Sequence, residues 1–309
     1  MARLIATRLV RLVGVLLAVS FVTFMAANLL PGDPIDALIP IELQEDREFV
    51  AELREEWGLN DPLLERYGRW LGNAVQGDLG KSYITGRPIM DEVTPRLPIT
   101  AQLMVVSVGL ALLIAVPLGV LSAYREGSRT DQSVTAGALL GISTPNFLLG
   151  IFLIYFMAVK LQWFPAVGWV RISDSFTGNL KSMTLPVVSL AVAEVAVYTR
   201  LVRSDMIATL QENYILSARA KGLSDRYILA RHALRPSSLS LMTIVGINFG
   251  ALLGGTVVIE TLFAIPGLGF RLINAINQRD ILVIQGITVF VAVVYVVINT
   301  VVDLSLIHI

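Results

Sequence analysis

Long apolar stretches alternate with shorter polar ones along this chain, and their lengths set the first expectation. A helix needs roughly 20 predominantly apolar residues to cross about 30 Å of hydrocarbon. Six stretches meet that requirement: residues 12–30, 99–124, 133–159, 182–198, 236–259 and 281–302. Glu194 is the one charged side chain inside them. Pro117, Pro145, Pro186 and several glycines interrupt them, which spanning helices tolerate and water-soluble helices do not. The expected fold is all-α, a polytopic membrane protein with six transmembrane helices. Gly246, Gly250 and Gly254 recur every fourth residue, the spacing that lets helix backbones approach closely.

Two polar segments are too long to be simple connections. In residues 31–98, Phe49, Val50, Leu53 and Trp57 fall at helical spacing, and Leu63, Leu64, Tyr67, Trp70 and Leu71 repeat the pattern. Asp61-Pro62 reads as a helix start, with Asp at the cap and Pro in the first turn. Two short amphipathic helices are expected there, either as a cap over the spans or as a landing surface for a soluble substrate carrier. The second segment, residues 212–238, is basic and helix-forming and is broken once, by Gly222. A glycine there can take positive φ without strain and turn the chain sharply. Ser217, Ala218 and Ala220 are small enough to enter a cleft, and Arg219, Lys221, Arg226 and Arg231 can meet acidic groups around it. The alternative is a surface hairpin that only holds positive charge on one side of the membrane.

Charge placement orients the spans. Arg3, Arg8 and Arg11 precede the first one, and the loop after the fourth holds Arg200, Arg203, Arg219, Lys221, Arg226, Arg231 and Arg235. The N-terminus and that loop are expected in the cytoplasm. The first loop, with Asp33, Asp36, Glu42, Glu45, Asp46, Glu48, Glu52, Glu55 and Glu56, is expected outside. The first span is longer than the apolar core of a cleaved signal peptide and is read as an uncleaved signal anchor.

Composition then removes other functions. The 309 residues are 55% hydrophobic and 16% charged, with 24 basic and 24 acidic side chains. A zero net charge argues against nucleic-acid binding, which needs a basic excess. There is no cysteine, and the two histidines, His232 and His308, are too far apart for a metal site, so no metal site is expected. Gly80-Lys81-Ser82 resembles the end of a phosphate-binding loop, but Val75 stands where that loop needs its first glycine. No catalytic residue, cofactor or ATP-hydrolysing motif is expected. Glu194 is either part of a polar pathway, as intramembrane charges often are, or paired with Arg200 or Arg203 near the inner surface.

The segment Ser217-Ala218-Arg219-Ala220-Lys221-Gly222-Leu223, followed by Arg231-His232-Ala233-Leu234-Arg235, resembles the cytoplasmic loop signature of ABC importer permease subunits. More narrowly it resembles the first-permease-subunit branch of the dipeptide/oligopeptide (nickel) transport family. Further matches are Leu30-Pro31-Gly32-Asp33-Pro34, Gly77-Asp78-Leu79-Gly80 with Ser82, and Pro145-x-Phe147-x-x-Gly150. The pattern continues with Trp163-x-Pro165-x-x-Gly168-Trp169 and the run from Val258 and Glu260 to Pro266-Gly267-Leu268-Gly269, then Arg279-Asp280 and Gln285-Gly286. Leu216 stands where the broader importer signature has Glu, as is usual in the peptide branch. Members continue past the last span with a polar tail, so the ending after Asp303 is expected to be truncated or foreign.

The resemblance implies a MetI-like ABC importer transmembrane fold. Its expected parts are an N-terminal anchor helix (1–30), an extracytoplasmic loop (31–98) and a five-helix core (99–305) carrying a cytoplasmic coupling loop (207–238). It implies a transport subunit and not an enzyme, in a bacterial or archaeal cell membrane. The implied partners are a second permease subunit, forming a heterodimer, two ATP-binding cassette subunits and an extracytoplasmic substrate-binding protein. Ser217, Ala218, Arg219, Ala220, Lys221, Gly222 and Leu223 become the ATPase-coupling contacts, and Asn146, Glu194 and Asn248 are pathway candidates. Dipeptides or oligopeptides are the expected cargo, with nickel, glutathione or another small solute as the alternative. An ion-gradient carrier predicts inverted repeats and more intramembrane acids than Glu194 alone. An intramembrane enzyme needs a cluster of catalytic side chains that the spans do not contain.

Overall fold

A computed structural model describes residues 2–28, 35 and 46–307. The Leu30 to Pro34 motif and His308 fall outside the described residues. The described residues fold into helices: α1 (Ala2–Asn28), α2 (Arg47–Glu56), α3 (Leu63–Val75), α4 (Ile89–Val93), α5 (Leu97–Tyr124), α6 (Arg129–Ser143) and α7 (Asn146–Leu153). Then follow α8 (Phe176–Leu210), α9 (Asn213–Ala220), α10 (Asp225–Tyr227), α11 (Leu234–Leu262), α12 (Leu268–Gln278) and α13 (Ile281–Ile307). Wider π turns extend α7 over Ile154–Lys160 and join α10 to α11 over Ile228–Ala233.

Three continuous helices are long and apolar enough to cross a membrane: Leu97–Tyr124, Phe176–Leu210 and Ile281–Val302. They contain the expected spans 99–124, 182–198 and 281–302. The stretch 133–159 is not one straight span. Its halves, Arg129–Ser143 and Asn146–Lys160, meet at 97°. Thr144 is extended there (φ −93°, ψ 117°), and Pro145 cannot donate the backbone bond that would continue the helix. The stretch around 236–259 is bent too, with 50° between Asp225–Gly250 and Leu252–Leu262. Counting each bent pair as one span gives up to five among the described residues, with Leu12–Asn28 a shorter apolar helix.

The chain divides into two compact units, residues 1–98 with 270–297, and residues 99–269 with 298–309. In the first, the two amphipathic helices anticipated from spacing are α2 and α3. Asp46 caps α2 by accepting from the amides of Glu48 and Phe49. Pro62 occupies the cap position of α3, and Asp61 pairs with Arg69 instead of capping. Tyr67 bonds Ser20 at 2.8 Å and packs edge-on against Phe21, joining α3 to α1. The buried Trp70 indole donates to the Leu79 carbonyl at 3.1 Å.

In the second unit, α8 packs against α6, α7 and α11. A Cβ on Gly119 would stand 2.7 Å from Val202, and one on Gly150 would stand 2.7 Å from Leu262, so both glycines permit close helix approach. Of the run noted at positions 246 and 254, a Cβ on Gly246 would meet Val302 at 2.5 Å, whereas Gly254 faces open space.

The end of α11 carries a buried hook. The Thr100 hydroxyl donates to Glu260 at 2.6 Å and accepts the Leu268 amide at 2.9 Å. A Cβ on Gly267 would lie 2.3 Å from the Glu260 carboxyl carbon, and one on Gly269 would lie 2.5 Å from the Val257 Cα. Backbone cannot step aside as a side-chain tip can. Gly269→Ala is therefore expected to cost about 1–3 kcal/mol, read as a lower thermal midpoint in detergent, while Gly254→Ala leaves the midpoint within error.

Candidate functional site

The basic segment after α8 forms an elbow with a buried base and an exposed tip. Two bonds of a Schellman cap end α9: the Leu223 amide reaches the Ala218 carbonyl at 3.3 Å, and the Gly222 amide reaches Arg219 at 2.9 Å. Gly222 sits at φ +76°, the left-handed region that a glycine reaches without strain. The helix after the turn begins at Asp225.

Ile215 and Ala218 point inward and share a buried apolar cluster with Tyr198, Met206, Ile228, Ala233 and Leu241. Ala218, only 6% exposed, thus anchors the elbow. Of the seven residues expected at the coupling contact, it is the one whose side chain turns inward. Ser217, Arg219, Ala220, Lys221, Gly222 and Leu223 are exposed. Tyr124 donates to Asp225 at 2.9 Å, tying the turn to the end of α5, and Thr209 and Ser237 bond at 3.0 Å across its base. Tyr214, Leu216 and Tyr227 also stand exposed on the elbow and were not among the sequence candidates. The signal for them was present: large apolar side chains within a polar stretch, off the buried face set by Ile215 and Ala218.

The intramembrane candidates fall along one seam between α8 and α11. Asn248 donates its Nδ2 to Glu194 at 3.1 Å. Arg203 does not reach Glu194; it pairs with Asp131 through two bonds of 2.6 and 2.8 Å. Asp131 also accepts from Ser122 and from the Gly127 amide. Of the two readings of Glu194, pairing with Arg203 does not form, because Asp131 holds that arginine, and the bonded partner of Glu194 is the neutral Asn248. Asn146 stands beside Gly255, its Nδ2 3.9 Å from where a Cβ there would lie. Gly255 is seven residues from Asn248, so Asn146 is roughly 10 Å along the same seam.

A third polar cluster, in the first unit, was invisible to motif reading. Arg271 pairs with Glu92 and lies 3.5 Å from Asp280. Ser82 donates to Asp280, and Thr85 donates to Glu92 at 2.9 Å. Gly80-Lys81-Ser82 thus serves a buried side-chain lock, with Gly80 at φ +95°. Burial pushes the Glu92 carboxyl up, but the bonds from Arg271 and Thr85 and the charge of Arg96 hold it below its ordinary value of 4.5. A folded-state value below the unfolded one stabilises the fold above about pH 4.5, and that contribution is lost as pH falls through the folded value. Acid unfolding of Glu92→Gln is expected to lose this part of its pH dependence below about pH 4.5, measured by tryptophan fluorescence.

Among the described residues the fold is helical, with membrane-length apolar helices and an exposed basic elbow. The chain belongs to the family of binding-protein-dependent transport system inner membrane components: that family matches residues 115–309, and its N-terminal membrane component matches residues 1–104. It is a permease subunit of an ABC importer, an integral membrane protein that works in complex with other transporter subunits. It is 38% identical over 304 residues to a putative peptide transport system permease protein of Brucella suis, covering 98% of this chain and 96% of that one. It is 39% identical over 308 residues to the oligopeptide transport system permease protein AppB of Bacillus subtilis, with the same coverage. A chain from an inward-facing structure of the MetNI methionine ABC transporter shares the fold at TM-score 0.59 and 17% identity, over 71% of this chain and 96% of that chain.

Proposed function

We propose that this chain is one of two different permease subunits of an ATP-driven importer for dipeptides or oligopeptides, powered through its elbow by ATP-binding cassette subunits. The observation that carries the coupling role is the form of the elbow: a glycine-capped turn rooted in the protein's core by Ile215 and Ala218 and exposing Ser217, Arg219, Ala220, Lys221, Gly222 and Leu223. A rooted turn transmits force in a way that a loose hairpin cannot. Its exposed side chains combine two cations with the apolar Tyr214, Leu216, Leu223 and Tyr227, as protein-docking surfaces do.

In this reading an extracytoplasmic binding protein delivers cargo to the side bearing residues 31–98, the N-terminus is cytoplasmic, and residues 1–30 anchor a core formed by 99–305. Two cassette subunits close on ATP, and the elbow of each permease passes that motion to the spanning helices. The Glu194–Asn248 pair and Asn146 face the pathway, where one carboxylate among neutral amides suits polar peptide backbones with variable side chains. The names of the relatives at 38% and 39% identity support peptides as cargo.

Reconstitution of the chain with its neighbouring-gene partners in proteoliposomes provides the test. Labelled peptide is expected to enter only with ATP on the cassette side and binding protein on the other. Uptake driven by an imposed ion gradient without cassette subunits would replace this reading with a carrier. Uptake of nickel or glutathione but not peptide would change the cargo alone.

A further inference from the structure

A groove of about 490 Å³ runs between α5, α6 and α8 within the second unit, a volume typical of small-molecule sites. Its walls change character along its length. Ile114, Gly137, Gly141 and Val192 line its apolar part. Gly137 leaves real space there, since a Cβ built on it would meet nothing within 4 Å. Toward one end come two hydroxyls, Ser133 and Thr199. Thr199 is only 3% exposed, and its Oγ1 has no hydrogen-bond partner among the described residues. A buried hydroxyl without a partner is costly, and it belongs to a residue of the groove wall.

Beyond the hydroxyls stand two arginines. Arg129 lies one helical turn before Ser133 on α6, and Arg200 lies one turn after the groove-lining Ala196 on α8. The Asp131–Arg203 pair ties the start of α6 to this part of α8. Arg129 and Arg200 are both exposed, and no ion pair or hydrogen bond engages either side chain among the described residues.

We infer that this groove holds one anionic phospholipid, its phosphate between Arg129 and Arg200, its ester region at Ser133 and Thr199, and one acyl chain along Gly137 and Gly141. The sequence of chemistries, cation, then hydroxyl, then apolar wall with an open glycine, follows the layers of a phospholipid from headgroup to tail. Arginines just past the apolar stretch of a spanning helix, as Arg200 is past Tyr198, extend to the headgroup level. The inference rests on the membrane-spanning fold and not on the cargo, so its failure leaves the transport reading untouched.

The test uses the full-length chain in nanodiscs of phosphatidylcholine with a minor fraction of phosphatidylglycerol, followed by native mass spectrometry of retained lipid. The wild type is expected to keep phosphatidylglycerol in preference to phosphatidylcholine. Arg129→Gln and Arg200→Gln each lower that retention about fivefold, and Arg87→Gln, an exposed arginine far along the chain, leaves it unchanged. Gly137→Leu fills open space without touching either charge, so it should remove retention while the protein stays monodisperse. Equal retention of both lipids by the wild type, or full retention by Gly137→Leu, overturns the inference. So does efficient cross-linking of Gly137→Cys to another subunit in the assembled transporter, an assay made clean by the absence of native cysteine.

Discussion

Arg219→Glu combined with Lys221→Glu is expected to leave the permease folded in the membrane and to remove most ATP-driven uptake. Both side chains are exposed at the elbow's tip, and neither forms an ion pair within the protein among the described residues. Reversing them therefore costs the isolated fold little. Against an acidic docking groove, two attractions become two repulsions, a change of several kcal/mol that weakens association on the order of 100-fold. Co-purification of cassette subunits, permease-stimulated ATP hydrolysis and peptide uptake should fall together. Unchanged uptake would remove the elbow from the mechanism. Ala218→Asp makes the necessary contrast: it places a carboxylate in an apolar cluster, so the expected loss is of folded protein and not of coupling.

The second large effect is one of stability. Arg271→Met is expected to destabilise the first unit by about 3–5 kcal/mol. The arginine is 8% exposed and stands between Glu92 and Asp280, which are 6% and 0% exposed. Removing it strands two carboxylates in a setting that water does not reach. Glu92→Gln with Arg271→Met and Asp280→Asn together should recover much of the loss, because neutral groups of similar shape carry no such desolvation cost. Thermal unfolding in detergent, with proteolysis of residues 46–96 as a local reporter, measures both. Equal midpoints for the wild type and Arg271→Met would show that the cluster does not hold this unit together.

Much of the architecture could be read without coordinates because it depends on local periodicity. Apolar length predicted the helices that contain 99–124, 182–198 and 281–302, and it missed the bend inside 133–159 because hydropathy does not register the break that Thr144 and Pro145 impose. Spacing located α2 and α3, and the solitary Gly222 announced its own positive φ. The family signature was legible as a string, but the work of its parts was not. Ser82 and Asp280 are 198 residues apart and bond directly; Thr100 reaches Glu260 across 160 residues, and the glycines at 267 and 269 are required by that carboxylate and the Val257 backbone.

Helix, cap and turn are decided by residues a few positions apart, so the chain alone determined its class, its apolar spans, its basic elbow and its freedom from thiol chemistry. Which carboxylate Arg203 takes, which amide meets Glu194, and that Ala218 turns inward are outcomes of packing among distant helices. Such choices depend on competition for partners in space, and only the folded structure settles that competition.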